Sequence, residues 1–349
     1  MQKILLKGGK FFNGETFIDG DLLVENGKIS KIEGVDCSNA LEINVEGCIV
    51  TPGLIDIHTH LLDMGNQAFG YPADFSTIPF GVTYAVDACA LHSNHAVLDN
   101  LLVKTKVFIP LQLHNGDINY TAMEERLEFY KDKILGIKVY FDKTLNNGVD
   151  EEIFKKACNY AKQKNLKVMV HCSYSPISME KIVDILNKGD IITHAYHGNY
   201  HAIYENDYIA YKKAKQKGVF IDVGMAGCMH TDFSVLKNAI ENGYIPDTIS
   251  TDITKFSAYI RGGVYGLPMC MSICKEFGLS EIDVFKAVTI NASNAIGVGE
   301  WFSLNNANLA VLKYEDLKIE MNKDQNCVSA NKGYKCKLTV VNGQIIYRD

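Results

Sequence analysis

Short apolar runs separated by tight-turn dipeptides fill the first fifty residues of the chain. Runs such as KILLKG, LLVENG and ISKIEG are rich in β-formers, and the dipeptides between them are those that close β-hairpins. These dipeptides are Asn13-Gly14, Asp19-Gly20 and Asn26-Gly27. The last forty or so residues return to the same pattern, with a turn at Asn342-Gly343. Both chain ends are therefore predicted to form one small antiparallel β domain, a β-sandwich.

Between these ends, apolar runs alternate with amphipathic helical stretches, which is the pattern of parallel βα units. Strand ends recur about every 25 to 30 residues, the length of one repeat in a barrel of about 250 residues. The eight predicted strands are LIDIHTH, VTYAVDA, VFIPLQL, ILGIKVY, KVMVHC, IITHAY, VFIDVG and TISTDI. The pattern predicts an α/β chain, with a (β/α)8 TIM barrel over residues 51–301 and a small β domain from residues 1–50 and 302–349.

Helix starts are predicted from capping residues. Asp150, Ser178 and Asp232 each stand before an amphipathic run, where a side-chain oxygen accepts hydrogen bonds from the first turn. Ser280 with Asp283 resembles a capping box. We expect a helix to begin after each of these caps.

Composition excludes several kinds of function. The 349 residues carry 35 basic and 41 acidic side chains, a net charge of −6, without a basic block, so nucleic acid is not an expected partner. No apolar run approaches the ~18 residues of a membrane-spanning helix, and the apolar stretch 4–6 is too short for a signal peptide. Ten cysteines without a CxxC pair indicate buried thiols. A soluble cytoplasmic protein with no membrane partner is predicted.

Four of the ten histidines lie at or near the C-terminal ends of the first, fifth and sixth predicted strands. In a barrel these ends meet at the catalytic face. His58 and His60 are two residues apart on one strand, so both imidazoles point inward. His171 and His194 follow long β-branched runs, and Asp252 ends the last strand. Imidazole and carboxylate ligands suit zinc, manganese or iron, with open positions for water and substrate.

Lys138 points inward on the fourth predicted strand, toward the same face. A metal would repel a cationic amine. The amine is therefore expected to be neutral, or converted by carbon dioxide into a carbamate, which is an anionic bridging ligand. The alternative is an ion pair of Lys138 with Asp252 or Asp87, without carboxylation.

Single histidines elsewhere favour a different interpretation. A lone histidine at a strand end is more often a hydrogen-bonded core or surface residue than a metal ligand. We assign that role to His92, His95, His201 and His230.

These segments resemble a known superfamily. The stretch VTPGLIDIHTHLLDMG is similar to the first-strand signature of the amidohydrolase superfamily. His58 and His60 lie in this signature. The superfamily's carboxylated lysine, its two later histidines and its strand-eight aspartate are matched, in order, by Lys138, His171, His194 and Asp252. This ligand order is that of the two-metal subtype, so the resemblance implies two divalent ions. Zinc is the expected metal, with manganese or iron as alternatives.

Within the superfamily, the chain resembles the bacterial deacetylase and dihydroorotase-like metallohydrolases, in segments such as GVTYAVDAC, LGIKVY, VMVHCSYSP and PDTISTDI. The resemblance implies cleavage of an amide or ester bond of a small molecule by a metal-bridging hydroxide, with Asp252 as general acid–base. A cyclic amide hydrolase such as a dihydroorotase is the second interpretation. Such enzymes usually show a histidine near the strand-eight aspartate, which residues 251–254 lack. A non-catalytic assembly protein is the third, and the intact set of six ligands argues against it.

Substrate contacts are expected from loops above the barrel. The polar candidates are Asn115, Tyr140, Tyr196, His197 and Arg261. Arg261 lies in the Gly-rich IRGGVYG, where it would clamp a substrate carboxylate with two hydrogen bonds. A solvated surface position is the alternative for Arg261, and a packing role is the alternative for the two tyrosines. His197 stands where the resembled group often has Asn. Association into a homo-oligomer stays open.

Overall fold

Seventeen strands and eleven α-helices make up most of the part of the chain that the structure describes. The computed structural model describes residues 3–31, 36–62, 70–89, 96–226, 229–260, 265–299, 307–323 and 326–349. The strands are β1 (Ile4–Phe12), β2 (Phe17–Glu25), β3 (Lys28–Lys31), β4 (Leu41–Asn44), β5 (Cys48–Pro52), β6 (Leu54–Thr59), β7 (Val82–Asp87), β8 (Lys104–Pro110), β9 (Leu113–His114), β10 (Asp117–Ile118), β11 (Ile134–Tyr140), β12 (Lys167–His171), β13 (Ile191–Thr193), β14 (Phe220–Ile221), β15 (Leu309–Lys323), β16 (Asn326–Val341) and β17 (Gln344–Arg348). The helices are α1 (Ala73–Thr77), α2 (Ala96–Asp99), α3 (Tyr120–Tyr130), α4 (Glu151–Gln163), α5 (Met179–Ile185), α6 (Glu205–Lys217), α7 (Phe233–Glu241), α8 (Lys255–Ile260), α9 (Leu267–Glu276), α10 (Glu281–Ala287) and α11 (Ile290–Ile296).

Seven strands form one parallel sheet, in the order β6, β7, β8, β11, β12, β13 and β14. They confirm the first seven predicted barrel strands. Strands β6 and β7 are buried along their whole length, as expected in a barrel, where helices cover the outer face and strand side chains fill the interior. Strand β13 is shorter than predicted because His194 has a φ of 59°, which extended backbone does not allow.

The predicted eighth strand is a hydrogen-bonded segment rather than a regular strand. Residues 247–253 form only isolated bridges, Asp222 with Thr248 and Thr59 with Ile253. The N–H of Asp252 donates to the His58 carbonyl at 2.7 Å, so the segment reaches β6 at one edge of the sheet. The extended geometry ends at Asp252, whose φ is 49°. Through these bridges the segment joins β14 to β6.

Both chain ends share a second sheet, in the order β17, β16, β15, β5, β1, β2 and β3, with β4 beside β1. The joint between the ends is the antiparallel pair β5–β15, in which Val50 lies opposite Val311. The prediction that both chain ends contribute to one β structure is thereby confirmed, whereas the predicted β-sandwich is not. The sheet is also mixed rather than purely antiparallel, because the chain returns after β3 and places β4 and β5 parallel to β1.

Strands β15 and β16 form a hairpin that is longer than the apolar pattern predicts. Its outer part packs against α9, where the Tyr334 N–H donates to the Ser272 hydroxyl at 2.8 Å. The Tyr334 hydroxyl donates to Glu281 at 2.9 Å. These contacts attach the shared sheet to the helices that surround the barrel.

The four predicted helix caps are confirmed. Each side-chain oxygen accepts a hydrogen bond from an N–H of the first turn, which satisfies a donor that the helix itself leaves unpaired. The cap and donor pairs are Asp150 with Ile153, Ser178 with Lys181, Asp232 with Ser234 and Val235, and Ser280 with Asp283.

Gly136 permits a close approach between β11 and β12 below the predicted lysine ligand. A Cβ at this position would overlap the Lys167 carbonyl oxygen. The backbone that carries Lys138 therefore requires glycine two residues earlier.

None of the described helices is both long and apolar enough to cross a membrane.

Deleting residues 330–349 is expected to destabilise the protein, because β15 would lose its partner strand and an apolar edge would be exposed. The deletion removes several buried side chains, each contributing about 1.5–3 kcal/mol. We expect the melting temperature to fall by more than about 5 °C. A matched deletion of residues 344–349 removes only the edge strand β17 and should cost less. Equal melting temperatures and solubility for the longer deletion and the intact chain would contradict the shared sheet.

Candidate metal centre

The C-terminal ends of the parallel strands surround a cavity of about 290 Å³. All six predicted metal ligands line it. The lining residues are His58, His60, Lys138, Tyr140, Asp142, Thr144, Leu145, His171, Tyr174, His194, Ala226, Met229, His230, Asp252, Thr254 and Phe256. The structure thus brings together residues that lie up to 194 positions apart in the chain.

Asp252 lies among three histidines at one side of the cavity. Its Oδ1 is 3.2 Å from His58 Nε2 and 2.8 Å from His60 Nε2, and its Oδ2 is 3.7 Å from His194 Nε2. Burial opposes ionisation, but His58 and His60 hold the Asp252 pKa below its usual range. Asp252 is therefore a carboxylate at neutral pH.

Lys138 is fully buried, and its Nζ lies 3.0 Å from His58 Nε2. Burial lowers the pKa of its amine to about 8. Among the described residues, the ion-pair contacts of Asp252 are with histidines, and Asp87 instead accepts hydrogen bonds from the N–H groups of Leu61 and Leu62. An ion pair of Lys138 with either aspartate is thus not observed. The lowered pKa raises the fraction of neutral amine, which is the form that reacts with carbon dioxide.

A second histidine group, which shares His194 with the first, lines the same cavity. The ring centroids of His171 and His194 are 4.7 Å apart, and the His230 ring lies 4.8 Å from His171 and 4.3 Å from His194. Burial lowers the pKa of all three, that of His230 to about 3. They are therefore neutral imidazoles, the form that binds metals.

His230 is predicted to be a hydrogen-bonded core or surface residue, and the structure places it in the cavity lining beside two predicted ligands. It follows β14 in a loop, where neither strand alternation nor helical periodicity indicates a direction. No local pattern distinguishes it from His201. Only the tertiary fold brings it to the cavity.

Hydrogen bonds orient three of the histidine rings. The Nδ1 of His194 lies 2.7 Å from the Gly224 carbonyl, and the Nδ1 of His58 lies 2.8 Å from the Thr193 hydroxyl. For His171 it is Nε2 that is bonded, 3.0 Å from Asp142 Oδ2. Such partners fix the ring and its tautomer, so that the other nitrogen faces the metal site.

The buried side chain of Asp222 supports the ring of His58 through hydrogen bonds. Asp222 is fully buried and accepts hydrogen bonds from the hydroxyls of Thr193, Thr248 and Ser250 at 2.7–2.8 Å. Through Thr193 it orients His58. Asp222 therefore ties strand β13 and the eighth segment to a predicted ligand.

Asp142 is expected to strengthen metal binding through His171. Burial raises its pKa, but hydrogen bonds from His171 and Thr144 outweigh this effect and hold the pKa at about 2. Asp142→Asn should weaken binding of one ion by about 10- to 100-fold, because the amide no longer supplies a charged partner for the ring. Competition with a chelator measures this affinity. The exposed Asp184→Asn variant is the control, and equal affinities in the two variants would contradict the role.

The structure places the predicted substrate contacts unequally. Tyr140 lines the cavity, with its ring 5.7 Å from His171. Asn115 is exposed in the β9–β10 turn, with a φ of 51° that suits a turn residue, and does not line the cavity. Tyr196 is buried and its hydroxyl donates to the Tyr244 carbonyl at 3.0 Å, so it packs behind the barrel wall.

Of the remaining two candidates, His197 is absent from the described cavity lining. His197 is fully buried, and its Nδ1 accepts a hydrogen bond from the Asn199 N–H at 3.3 Å. Arg261 lies outside the described residues.

The mouth of the cavity is apolar, whereas only polar residues were predicted as substrate contacts. Four of its residues are exposed large hydrophobic side chains: Leu145, Tyr174, Met229 and Phe256, with exposures of 51%, 36%, 55% and 52%. Lys138 is the one basic side chain other than histidine among the described lining residues. A substrate would meet an apolar entrance above a polar floor.

The donor set fits a divalent metal. Oδ1 of Asp252 is buried and forms no hydrogen bond of normal geometry among the described residues, although two imidazole nitrogens face it. Ligand atoms of His58, His194 and Asp252 all lie within 4.8 Å of one another. His194 and Asp252 also hold left-handed φ values, a strain that proteins concentrate at functional sites. Neutral imidazoles and carboxylate oxygen are ligands that zinc and similar ions prefer.

A parallel barrel with such donors at its C-terminal face defines a metal-dependent hydrolase. Residues 49–346 match the profile of the amidohydrolase family, and the chain belongs to that family. Members of this superfamily generally act through a divalent metal centre on a small-molecule substrate.

Two relatives and one solved structure are similar to this chain. A deacetylase of Brucella anthropi is 27% identical over 301 residues, which cover 79% of this chain and 74% of that protein. A dihydroorotase of Aquifex aeolicus is 30% identical over 206 residues, which cover 55% of this chain and 46% of that protein. A crystal structure of a dihydroorotase is 22% identical with a TM-score of 0.87, covering 100% of this chain and 98% of that one. This last likeness confirms the TIM-barrel fold.

Proposed function

We propose that the protein is a deacetylase-like hydrolase that cleaves an amide or ester bond of an acylated small molecule. The observation that carries the proposal is the convergence of six residues with metal-ligand chemistry on one cavity. Similarity to a deacetylase covers 79% of the chain, whereas similarity to a dihydroorotase covers 55%. The greater coverage favours deacylation over cyclic amide hydrolysis.

Two divalent ions would be held in the cavity, with zinc as the expected metal. His58, His60 and Asp252 would hold one ion, and His171 and His194 would hold the other. Lys138, as a carbamate formed with carbon dioxide, would contribute an anionic ligand to both. When bound, such ions lower the pKa of a water to about 7 and polarise a carbonyl.

Asp252 is suited to move the proton. It is ionised, buried and adjacent to the ligand nitrogens of His58 and His60. As a general base it would accept a proton from the attacking water while the new carbon–oxygen bond forms. It would then return that proton to the departing nitrogen or oxygen as the acyl bond breaks.

The apolar mouth supports a substrate with an apolar portion beside the scissile bond. Leu145, Met229 and Phe256 would cover such a group while the acyl carbonyl reaches the floor. Tyr140, on the cavity wall, is the predicted substrate contact with the best placement. A strongly anionic substrate would find only Lys138 as a basic side chain other than histidine among the described lining residues, and we assign Lys138 to the metals.

The domain division and the cellular location are also proposals. Residues 51–301 would form the catalytic barrel, and residues 1–50 with 302–349 the small β domain. The pairing of β5 with β15 supports this division, because it joins the two chain ends. We propose a cytoplasmic enzyme.

Hydrolysis of a panel of substrates tests the proposed function. Zinc-loaded protein would be assayed with N-acyl amines, N-acetyl amino acids, O-acetyl hydroxy acids and cyclic ureides. We expect turnover of acyl amides or esters, with a preference for an apolar group beside the bond. Turnover of cyclic ureides alone would overturn the deacetylase-like assignment in favour of a cyclic amide hydrolase. Absence of all turnover with two bound ions would favour a non-catalytic protein.

A further inference from the structure

His230 stands in a loop between β14 and α7 and lies against two predicted ligands from other strands. Its ring centroid is 4.3 Å from that of His194 and 4.8 Å from that of His171. One ring nitrogen from each of the three residues lies within 4.8 Å of the other two. Three imidazole nitrogens thus lie close enough together on the cavity lining to hold one ion.

The residues next to His230 are anchored, which fixes the position of its ring. The buried Thr231 hydroxyl donates to the Val223 carbonyl at 3.3 Å. The N–H of Asp232 donates to the Tyr196 carbonyl at 2.9 Å, and its side chain caps α7. On the other side, the N–H of Met229 donates to the Ala226 carbonyl at 3.1 Å.

The His230 ring itself is oriented by the loop that follows β12. The buried Ser173, two residues after His171, places its hydroxyl 3.3 Å from His230 Nδ1. The loop directly after one predicted ligand therefore also orients the third imidazole. This contact and the hydrogen bonds of the loop together hold the His230 ring beside His171 and His194.

We propose that His230 is a third imidazole ligand of the ion held by His171 and His194. The inference rests on the proposed divalent centre and extends it. Three histidine nitrogens with one position left for water or substrate form an established zinc coordination. The two ions would therefore differ, one held by three imidazoles and the other by two imidazoles and a carboxylate.

This difference has a consequence for binding strength. The ion at the three histidines would have three protein ligands without the Lys138 carbamate. It should therefore remain bound when Lys138 is replaced, and it should be lost when His230 is removed as well.

Metal binding by variants tests the inference without using activity. Wild type, His230→Ala, His230→Gln and the control His114→Ala, which changes an exposed histidine of β9, would be loaded with Zn²⁺ and titrated with chelators. A parallel series with Co²⁺ would record the visible absorption bands, which report coordination number. Melting temperatures would show which variants are folded, and His230→Gln carries the test if His230→Ala is unfolded.

We expect the His230 variants to lose affinity for one ion by more than the about 10- to 100-fold that follows loss of an outer partner. Their Co²⁺ bands should change, and His114→Ala should match wild type. Two ions bound with wild-type affinity and unchanged bands in the His230 variants would overturn this inference alone. If the wild type binds no ion, the proposed function fails together with it.

Discussion

Replacing Asp252 with Asn is expected to lower kcat by about 10²- to 10⁴-fold, which is the usual contribution of a general acid–base group. The amide oxygen still coordinates weakly, but an amide accepts no proton at neutral pH. The barrel should stay folded and keep most of its metal. KM should change little, because the lost interaction is made only in the transition state.

Three measurements on one preparation of Asp252→Asn separate catalysis from structure: kcat, metal content and melting temperature. If Asp252 served mainly to hold the histidine cluster, the variant should lose stability more than rate. The exposed Asp184→Asn variant controls for the loss of one acidic charge. Near-wild-type turnover at full metal occupancy would remove Asp252 from the mechanism.

Replacing Lys138 with Ala is expected to lower the metal content from about two ions per chain to about one, because a bridging carbamate contributes to both ions. The ion near His171, His194 and His230 should be the one that stays. Elemental analysis after dialysis measures the content. Activity should fall with the lost ion.

Chemical rescue distinguishes the carbamate from a plain lysine. A short-chain carboxylate should occupy the space of the missing side chain and restore part of the second ion, whereas bicarbonate should not. Unchanged metal content in Lys138→Ala would contradict the carbamate assignment.

Much of the barrel could be predicted because its strands are local features. Strands β11 and β12 are mostly apolar runs, and such runs indicate buried parallel strands without knowledge of their neighbours. The eighth segment differs, since its backbone turns at Asp252 and its bridges depend on β6 and β14. Propensity does not reveal such long-range contacts.

In the sheet shared by both chain ends, the local hairpins could be predicted but the pairing of distant strands could not. The hairpin dipeptides predicted which strands fold back, but whether two sheets stack or join depends on the pair β5–β15, which are separated by the whole barrel. That pairing produces one continuous sheet in place of the predicted sandwich.

The predicted ligands of β6, β11 and β12 were accessible to sequence reasoning because they lie on strands with known side-chain alternation. His58 and His60 point the same way for that reason. His230 and Asp142 lie in loops, where no period applies, and the structure alone brings them to the cavity. Tyr196 was a candidate only by its polarity, and its hydroxyl bonds to a backbone carbonyl instead.

Metal stoichiometry of the active enzyme tests whether hydrolysis depends on two bound divalent ions. The protein would be stripped with a chelator, and hydrolysis of the best substrate from the panel would be followed while Zn²⁺ is added back. We expect stripping to abolish turnover and activity to return to a maximum at two ions per chain. Full turnover by protein without detectable metal would contradict it.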